Sequence, residues 1–209
     1  SDPPKIAIIT VNFNKSERTQ ELLQSLQQVN MTGLDLELIV VDNCSSDASV
    51  EEINKKFPTV KVLVNKENLG FSEGNNIGIK YGLKQGADYF LLLNNDTLVN
   101  SNFLQALLTA VKEFPRGGIF GPKIYFTKGF ETHKEKYKVE DLGNIIWYAG
   151  GKIDWANMLG SHRGVDEIDT GQFEKTEKTD YVSGCAMFIT KNIIEAIGFF
   201  DRKFYLYRN

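Results

Sequence analysis

Residues 5–47 read KIAIITVNFNKSERTQELLQSLQQVNMTGLDLELIVVDNCSSD, and one pattern completes itself there and starts again. Ile6–Val11 (IAIITV) is an unbroken, mostly β-branched run, as expected of a strand buried on both faces. The polar NFNKS that follows leads into a segment where Leu22, Leu23 and Leu26 share one helical face. Leu36–Val41 (LELIVV) repeats the strand and ends at Asp42, and DNCSSD then offers caps for a helix from Ala48 to Phe57. Strand, loop, helix and strand in this order imply a crossover connection and hence a parallel sheet.

Outward from this stretch the pattern continues. Val60–Val64 (VKVLV) is a third strand, and the loop NKENLGFSEG leads to a helix spanning Asn75 to Gln85. Tyr89–Leu93 (YFLLL) is a fourth strand, and Ser101 or Asn102 caps a helix carrying Leu104, Leu107, Leu108 and Val111. Beyond it, Gly118–Tyr125 reads as a strand with a turn, and Thr127–Asp141 as a polar, exposed excursion. Ile145–Ala149 reads as part of a hairpin, Asp154–Lys178 as a long polar loop, Tyr181–Thr190 (YVSGCAMFIT) as a strand, and Lys191–Ile197 as a short helix closed by Gly198. The expected class is α/β, with a mainly parallel central sheet and helices on both faces.

The bulk properties narrow the partners. The 209 residues suit one sizeable core, and 42 % hydrophobic with 24 % charged residues is ordinary globular composition. A net charge of −3, without a run of Lys or Arg, argues against a nucleic-acid partner. Cys44 and Cys185 stand far apart with no CxxC spacing, so neither a disulfide framework nor a zinc site is expected, and a reducing cytoplasmic setting fits. No signal peptide and no transmembrane segment are expected.

In an open parallel sheet, ligands bind beyond the carboxyl ends of the strands. All four ends here are polar: Asn12 and Asn14; Asp42 with Asn43 and Ser45; Asn68 with Gly70; and Asn94-Asn95-Asp96. Such residues also form ordinary turns and caps. A lone Asp96 would suffice for a hard cation, Mg2+ or Mn2+, because magnesium commonly takes one or two protein carboxylates and completes its shell with phosphate oxygens. Asp42 has the acceptor atoms to read a base that shows N–H donors. The stretch Asn68–Asn75 places Gly70 and Gly74 where a backbone could approach a phosphate, although neither GxGxxG nor GxxxxGK is present. His133 and His162 lack metal-ligand spacing, and Trp147 and Trp155 suit either sugar stacking or core packing.

Taken in order, TVNFNK, LIVVDNCSSD, NLGFSEGNNIG, FLLLNND, DYVSGCAMFITK and IGFFDRKFYLY resemble the family-2 glycosyltransferases of GT-A fold, most of all their rhamnosyltransferase-like branch. The resemblance covers Lys5 to Tyr207 and implies a single domain over 1–209, with 1–100 the nucleotide-sugar-binding half and 101–209 the acceptor-side half. It implies that Thr10, Val11 and Asn12 line the nucleotide, that Asp42 reads the base, and that Gly70 to Asn75, Phe71 and Gly74 included, lie along the donor. Asn94 and Asn95 would lie near ribose or phosphate, and Asp96 would be the metal ligand of a DXD-like motif in which Asn94 replaces the first Asp. Tyr181, Ser183, Gly184 and Cys185 would line the acceptor side.

The implied activity is transfer of a sugar from a UDP-, dTDP- or GDP-sugar to the hydroxyl of a saccharide or lipid-linked acceptor, metal-dependent and with inversion. The implied location is the cytoplasm or the inner face of the cell membrane. Similar proteins follow FYLY with an acidic motif that supplies the general base, so the expectation is a chain truncated at its C-terminus, with the base after Asn209. The alternatives are a catalytically inactive nucleotide-sugar-binding fragment and a sugar nucleotidyltransferase.

Overall fold

A computed structural model describes residues 2–205. It forms two compact units: one of residues up to Phe120 together with those from Gly184, the other Gly121–Ser183.

The first unit is built on a six-stranded sheet. Its strands are β1 (Lys5–Asn12), β2 (Asp35–Asp42), β3 (Lys61–Val64), β4 (Tyr89–Leu93), β5 (Ile119–Phe120) and, after the second unit, β10 (Ala186–Thr190). They lie in the order β3-β2-β1-β4-β10-β5, with β1 to β4 parallel and β10 antiparallel to both its neighbours. Ile6, Ala7 and Ile9 are fully buried, as are Val40, Val41, Phe90 and Leu91, so these strands are apolar on both faces because both faces are covered. Helix α1 (Glu17–Leu26) lies on the Asn12 side of β1, with Leu22 and Leu23 buried. The other face takes α3 (Gly70–Lys84), whose Ile79 joins a cluster with Ala7, Ile9 and Val41. Burial of each such side chain stabilises by about 1.5–3 kcal/mol. The remaining helices are α2 (Ser49–Lys56), α4 (Phe103–Glu113) and α5 (Lys191–Ile197).

Three details differ from the sequence expectation. Helix α3 begins at Gly70 rather than Asn75, so Gly70 and Gly74 belong to the helix and do not precede it. Gly70, Gly74, Gly78 and Gly82 recur at every fourth position. A Cβ at Gly74 would stand 3.0 Å from Val11 Cγ2, one at Gly82 would stand 2.8 Å from Ala7 Cβ, and one at Gly78 would collide with Ile9. Close approach to β1 therefore outweighs the low helix propensity of glycine. The helix starts also differ in detail: α2 follows Ala48, with Asp47 Oδ1 accepting from the Ser49 amide at 3.0 Å, and α4 follows Asn102, one of the two expected caps, whose side chain makes no cap bond.

The third difference lies toward the end of the chain, where β10 starts at Ala186, leaving Tyr181 to Cys185 outside the strand. In the second unit β6 (Ile124–Tyr125) pairs with β7 (Ile146–Tyr148), and β8 (Gly151–Asp154) forms a hairpin with β9 (Leu159–His162), which lies inside the stretch expected to be loop. Most of that hairpin is exposed, so its sequence lacks the alternation that signals a half-buried strand. Trp147 and His162 meet edge-on at 4.5 Å, while Trp155 is exposed. Among the described residues no helix is long and apolar enough to cross a membrane.

Candidate active site

The parallel register brings the carboxyl ends of β1, β2 and β3 to one edge, pairing Asn12 with Asp42 and Asp42 with Val64. At this edge Asp42 is fully buried and ionisable, an arrangement that needs compensating donors. It has them: Oδ1 accepts from Asn12 Nδ2 at 3.0 Å and from Ser45 Oγ at 2.5 Å, and Oδ2 accepts from the Ser45 amide at 2.8 Å. The residue expected to read a base thus has both carboxylate oxygens bonded within the protein. In this structure Asp42 presents no surface, and orders Asn12 and Ser45 instead.

The loops after β1 and β2 are cross-tied. Ser45 Oγ accepts from the Asn14 amide at 2.7 Å, Asn14 Oδ1 accepts from the Ser46 amide at 2.9 Å, and Asp47 accepts from the Lys15 amide at 2.7 Å. These bonds hold Asn14, Lys15 and Cys44 at φ of 55°, 50° and 65°. Left-handed backbone costs about 1–2 kcal/mol for an ordinary residue and concentrates at functional sites. Thr10, beside them on β1, is buried with no hydrogen-bond partner for its hydroxyl among the described residues.

A second row of bonds extends to β4. Asn95 Nδ2 donates to Thr19 Oγ1 at 3.1 Å, and Thr19 Oγ1 donates to Asn12 Oδ1 at 2.6 Å. Asn94 opens a turn in which its carbonyl accepts from the Thr97 amide and hydroxyl, so Asn95 and Asp96 are the turn's central residues. Asp96 is exposed. The Asn94 amide donates to the Cys185 carbonyl at 2.9 Å, extending the β4–β10 ladder. Burial, and then the negative charge of Asp96, push the Cys185 thiol up to about 12. Gly184 stands next to Cys185 and faces the Phe71 ring, 3.4 Å from where its Cβ would be.

The start of α3 closes the edge. Asn43 bridges it to β3: Nδ2 donates to the Gly70 carbonyl at 3.0 Å, and Oδ1 accepts from Asn65 Nδ2 at 2.8 Å. Asn68 Oδ1 accepts from the Gly70 amide, and Asn75 Nδ2 donates to the Phe71 carbonyl. The Phe71 amide donates to the Tyr205 carbonyl at 2.9 Å, and Asn76 holds Phe200 by both its amide and its carbonyl.

Of the expected residues, the strand ends thus bring together Asn12, Asn14, Asp42, Ser45, Asn94 and Asn95 with Asp96, Gly184 and Cys185. Val11, Gly74 and Asn75 are turned into packing or helix bonds. Tyr181 and Ser183 belong to the second unit, where the Tyr181 carbonyl accepts from Tyr148 Oη. Thr19, Asn65 and Asn76 were not among the expected residues. Residues 206 and 207 of FYLY, and Arg208-Asn209 where the acidic motif was expected to begin, lie outside the described residues.

The described residues include no group of three or more His, Cys, Asp or Glu that could hold a metal. Asp96 supplies one carboxylate at an exposed turn, which fits a cation whose shell is completed by diphosphate oxygens and water.

The chain is 24 % identical over 203 residues to the low-salt glycan biosynthesis hexosyltransferase Agl10 of Haloferax volcanii, covering 97 % of this chain and 58 % of that protein. It is 21 % identical over 216 residues to an N-acetylglucosaminyl-diphospho-decaprenol L-rhamnosyltransferase of Mycobacterium tuberculosis, covering 97 % and 66 %. It therefore spans less than two thirds of the length of these relatives. Its fold matches the mannosyltransferase PcManGT of Pyrobaculum calidifontis, solved with GDP-Man and Mn2+, with a TM-score of 0.58 at 14 % identity over 95 % of this chain and 48 % of that one. The sequence profile of glycosyl transferase family 2 matches residues 7–198, and with a GT-A-type α/β sheet beneath that match the chain belongs to this family of glycosyltransferases.

Proposed function

We propose that the chain binds a nucleotide-diphospho-sugar at the carboxyl edge of β1, β2 and β4, with a divalent cation at Asp96, and that the protein transfers the sugar to an acceptor hydroxyl with inversion. The observation that supports this best is the row of bonds from Asn95 through Thr19 and Asn12 to Asp42, which ends beside an exposed Asp96. A structural neighbour solved with GDP-Man and Mn2+ supports the same ligand classes.

In this reading Asn12, Asn14 and Ser45 present the polar edge for the nucleotide, with Asp42 fixing their geometry. When bound, the cation neutralises charge developing on the leaving diphosphate. The acceptor oxygen attacks the anomeric carbon as the sugar–phosphate bond breaks; the hydroxyl proton passes to a base, and nucleoside diphosphate leaves. Gly184 and Cys185, next to Asp96, stand on the side assigned to the acceptor, and the relative named for N-acetylglucosaminyl-diphospho-decaprenol favours a lipid-linked saccharide. Neither cysteine is in a disulfide, which suits a reducing compartment, in the cytoplasm or at the inner membrane face.

Calorimetry with UDP, dTDP and GDP, with and without Mn2+, tests the donor half. Binding of one nucleotide, tightened by Mn2+ and losing that gain in Asp96→Ala, is expected; affinity indifferent to chelator removes the cation from Asp96. Product analysis tests the reaction, because a transferase releases nucleoside diphosphate, a nucleotidyltransferase releases pyrophosphate, and a binding fragment releases neither.

A further inference from the structure

Thr19 lies in the first turn of α1 and is fully buried. It shares a helical face with Leu22, Leu23 and Leu26, where any residue of its size would fill the space. Its hydroxyl does what no isostere could: it donates to Asn12 and accepts from Asn95, joining two strand ends that are 83 positions apart in sequence. Resting on the donor-site reading above, we propose that Thr19 is a positioning residue that couples the cation-side turn Asn94–Asp96 to the base-side pair Asn12–Asp42, making metal and nucleotide bind cooperatively.

The direction of the row supports this. A hydroxyl has one hydrogen and two lone pairs, and Thr19 spends the hydrogen on Asn12 Oδ1. That choice orients the Asn12 amide so that Nδ2 faces Asp42 Oδ1 at 3.0 Å and Ser45 Oγ at 3.2 Å. The flipped amide would set a carbonyl oxygen against a buried carboxylate. Every donor in the row, from Asn95 through Thr19 to Asn12, therefore points toward the Asp42 charge, and in a low-dielectric site each bond polarises the next. A cation drawn to Asp96 adjoins Asn95 in the chain. Positive charge there strengthens N–H donation by the Asn95 amide, and so tightens the row that holds Asn12.

Thr19→Val keeps the volume and removes the hydroxyl; Thr19→Ser keeps the hydroxyl. Binding of UDP and of GDP is measured with and without Mn2+, alongside NMR of the Asn12 and Asn95 side-chain amides in the ligand-free chain. In wild type and Thr19→Ser, Mn2+ is expected to tighten nucleotide binding by about 10-fold or more. In Thr19→Val that gain shrinks by about 5-fold. A merely structural Thr19 would lower the melting temperature of the valine variant and leave the Mn2+ gain intact, and that result overturns the proposal. So does an Asn95 side-chain amide whose exchange protection survives in Thr19→Val. If neither UDP nor GDP binds wild type, the donor-site reading falls, whereas the amide resonances still decide whether Thr19 links the two strand ends.

Discussion

Replacing Asp42 by Asn changes one atom for another of nearly equal size, yet the hydrogen-bond pattern leaves no good orientation for the amide. With its NH2 in the place of Oδ2 it meets the Ser45 amide, itself a donor, across 2.8 Å. With its NH2 in the place of Oδ1 it can donate to Ser45 Oγ, but it then faces Asn12 Nδ2 across 3.0 Å. Either way one charge-assisted bond is lost, about 1.5–3 kcal/mol, and two buried donors confront each other. Relief from desolvating a carboxylate offsets part of this, so the net loss is about 2–3 kcal/mol. For a protein of this size that lowers Tm by about 5–10 °C. Circular-dichroism melting and nucleotide calorimetry on one preparation make the test. An unchanged Tm combined with lost nucleotide affinity would refute the reasoning, because Asp42 would then serve the ligand directly rather than the strand ends.

Gly78→Ala should destabilise by about 1–3 kcal/mol in urea unfolding despite alanine's higher helix propensity, because the new methyl collides with Ile9; a gain in stability would contradict the packing. Asn76→Ala removes both bonds to the Phe200 backbone and should speed hydrogen exchange at the Phe200 amide while leaving the β4 amides protected. Burial raises the Asp169 carboxyl, but bonds from Lys123 and Tyr125 outweigh it and hold it at about 2, below its ordinary 3.8. Its contribution of about 2 kcal/mol is therefore complete above pH 4 and lost as pH falls toward 2. Wild type should lose stability over that window faster than Asp169→Asn; parallel acid-unfolding curves would show that the ion pair adds nothing.

The parallel strands were legible because burial on both faces demands continuous apolar runs, as in IAIITV and YFLLL, and no other element competes for that pattern. The onset of α3 was not, because Gly70 and Gly74 carry a loop signal locally, and only the closeness of Tyr205 to the first and of Val11 on β1 to the second explains them as helix. The start of β10 was overextended for a related reason: YVSG is apolar enough for a strand, but Tyr181 bridges instead to Gly151 in the second unit. In the site, the turn residues Asn94, Asn95 and Asp96 stood out as polar groups leaving a buried strand. Thr19 did not, since its spacing to Leu22, Leu23 and Leu26 makes it read as one more core position. The partner that gives its hydroxyl meaning, Asn95, is 76 residues distant.

Three glycines, Gly74, Gly78 and Gly82, set the α3 backbone directly against Val11, Ile9 and Ala7 of β1, with no side chain of their own to act as a bearing between helix and strand. Such a contact resists sliding, because the strand's methyl groups sit in notches of the helix backbone and would have to climb out before either element could shift. The segment from Phe71 to Asn76 is thereby mechanically grounded in the centre of the sheet. It can deliver Phe71 and the Asn76 anchor to the site only as a rigid block.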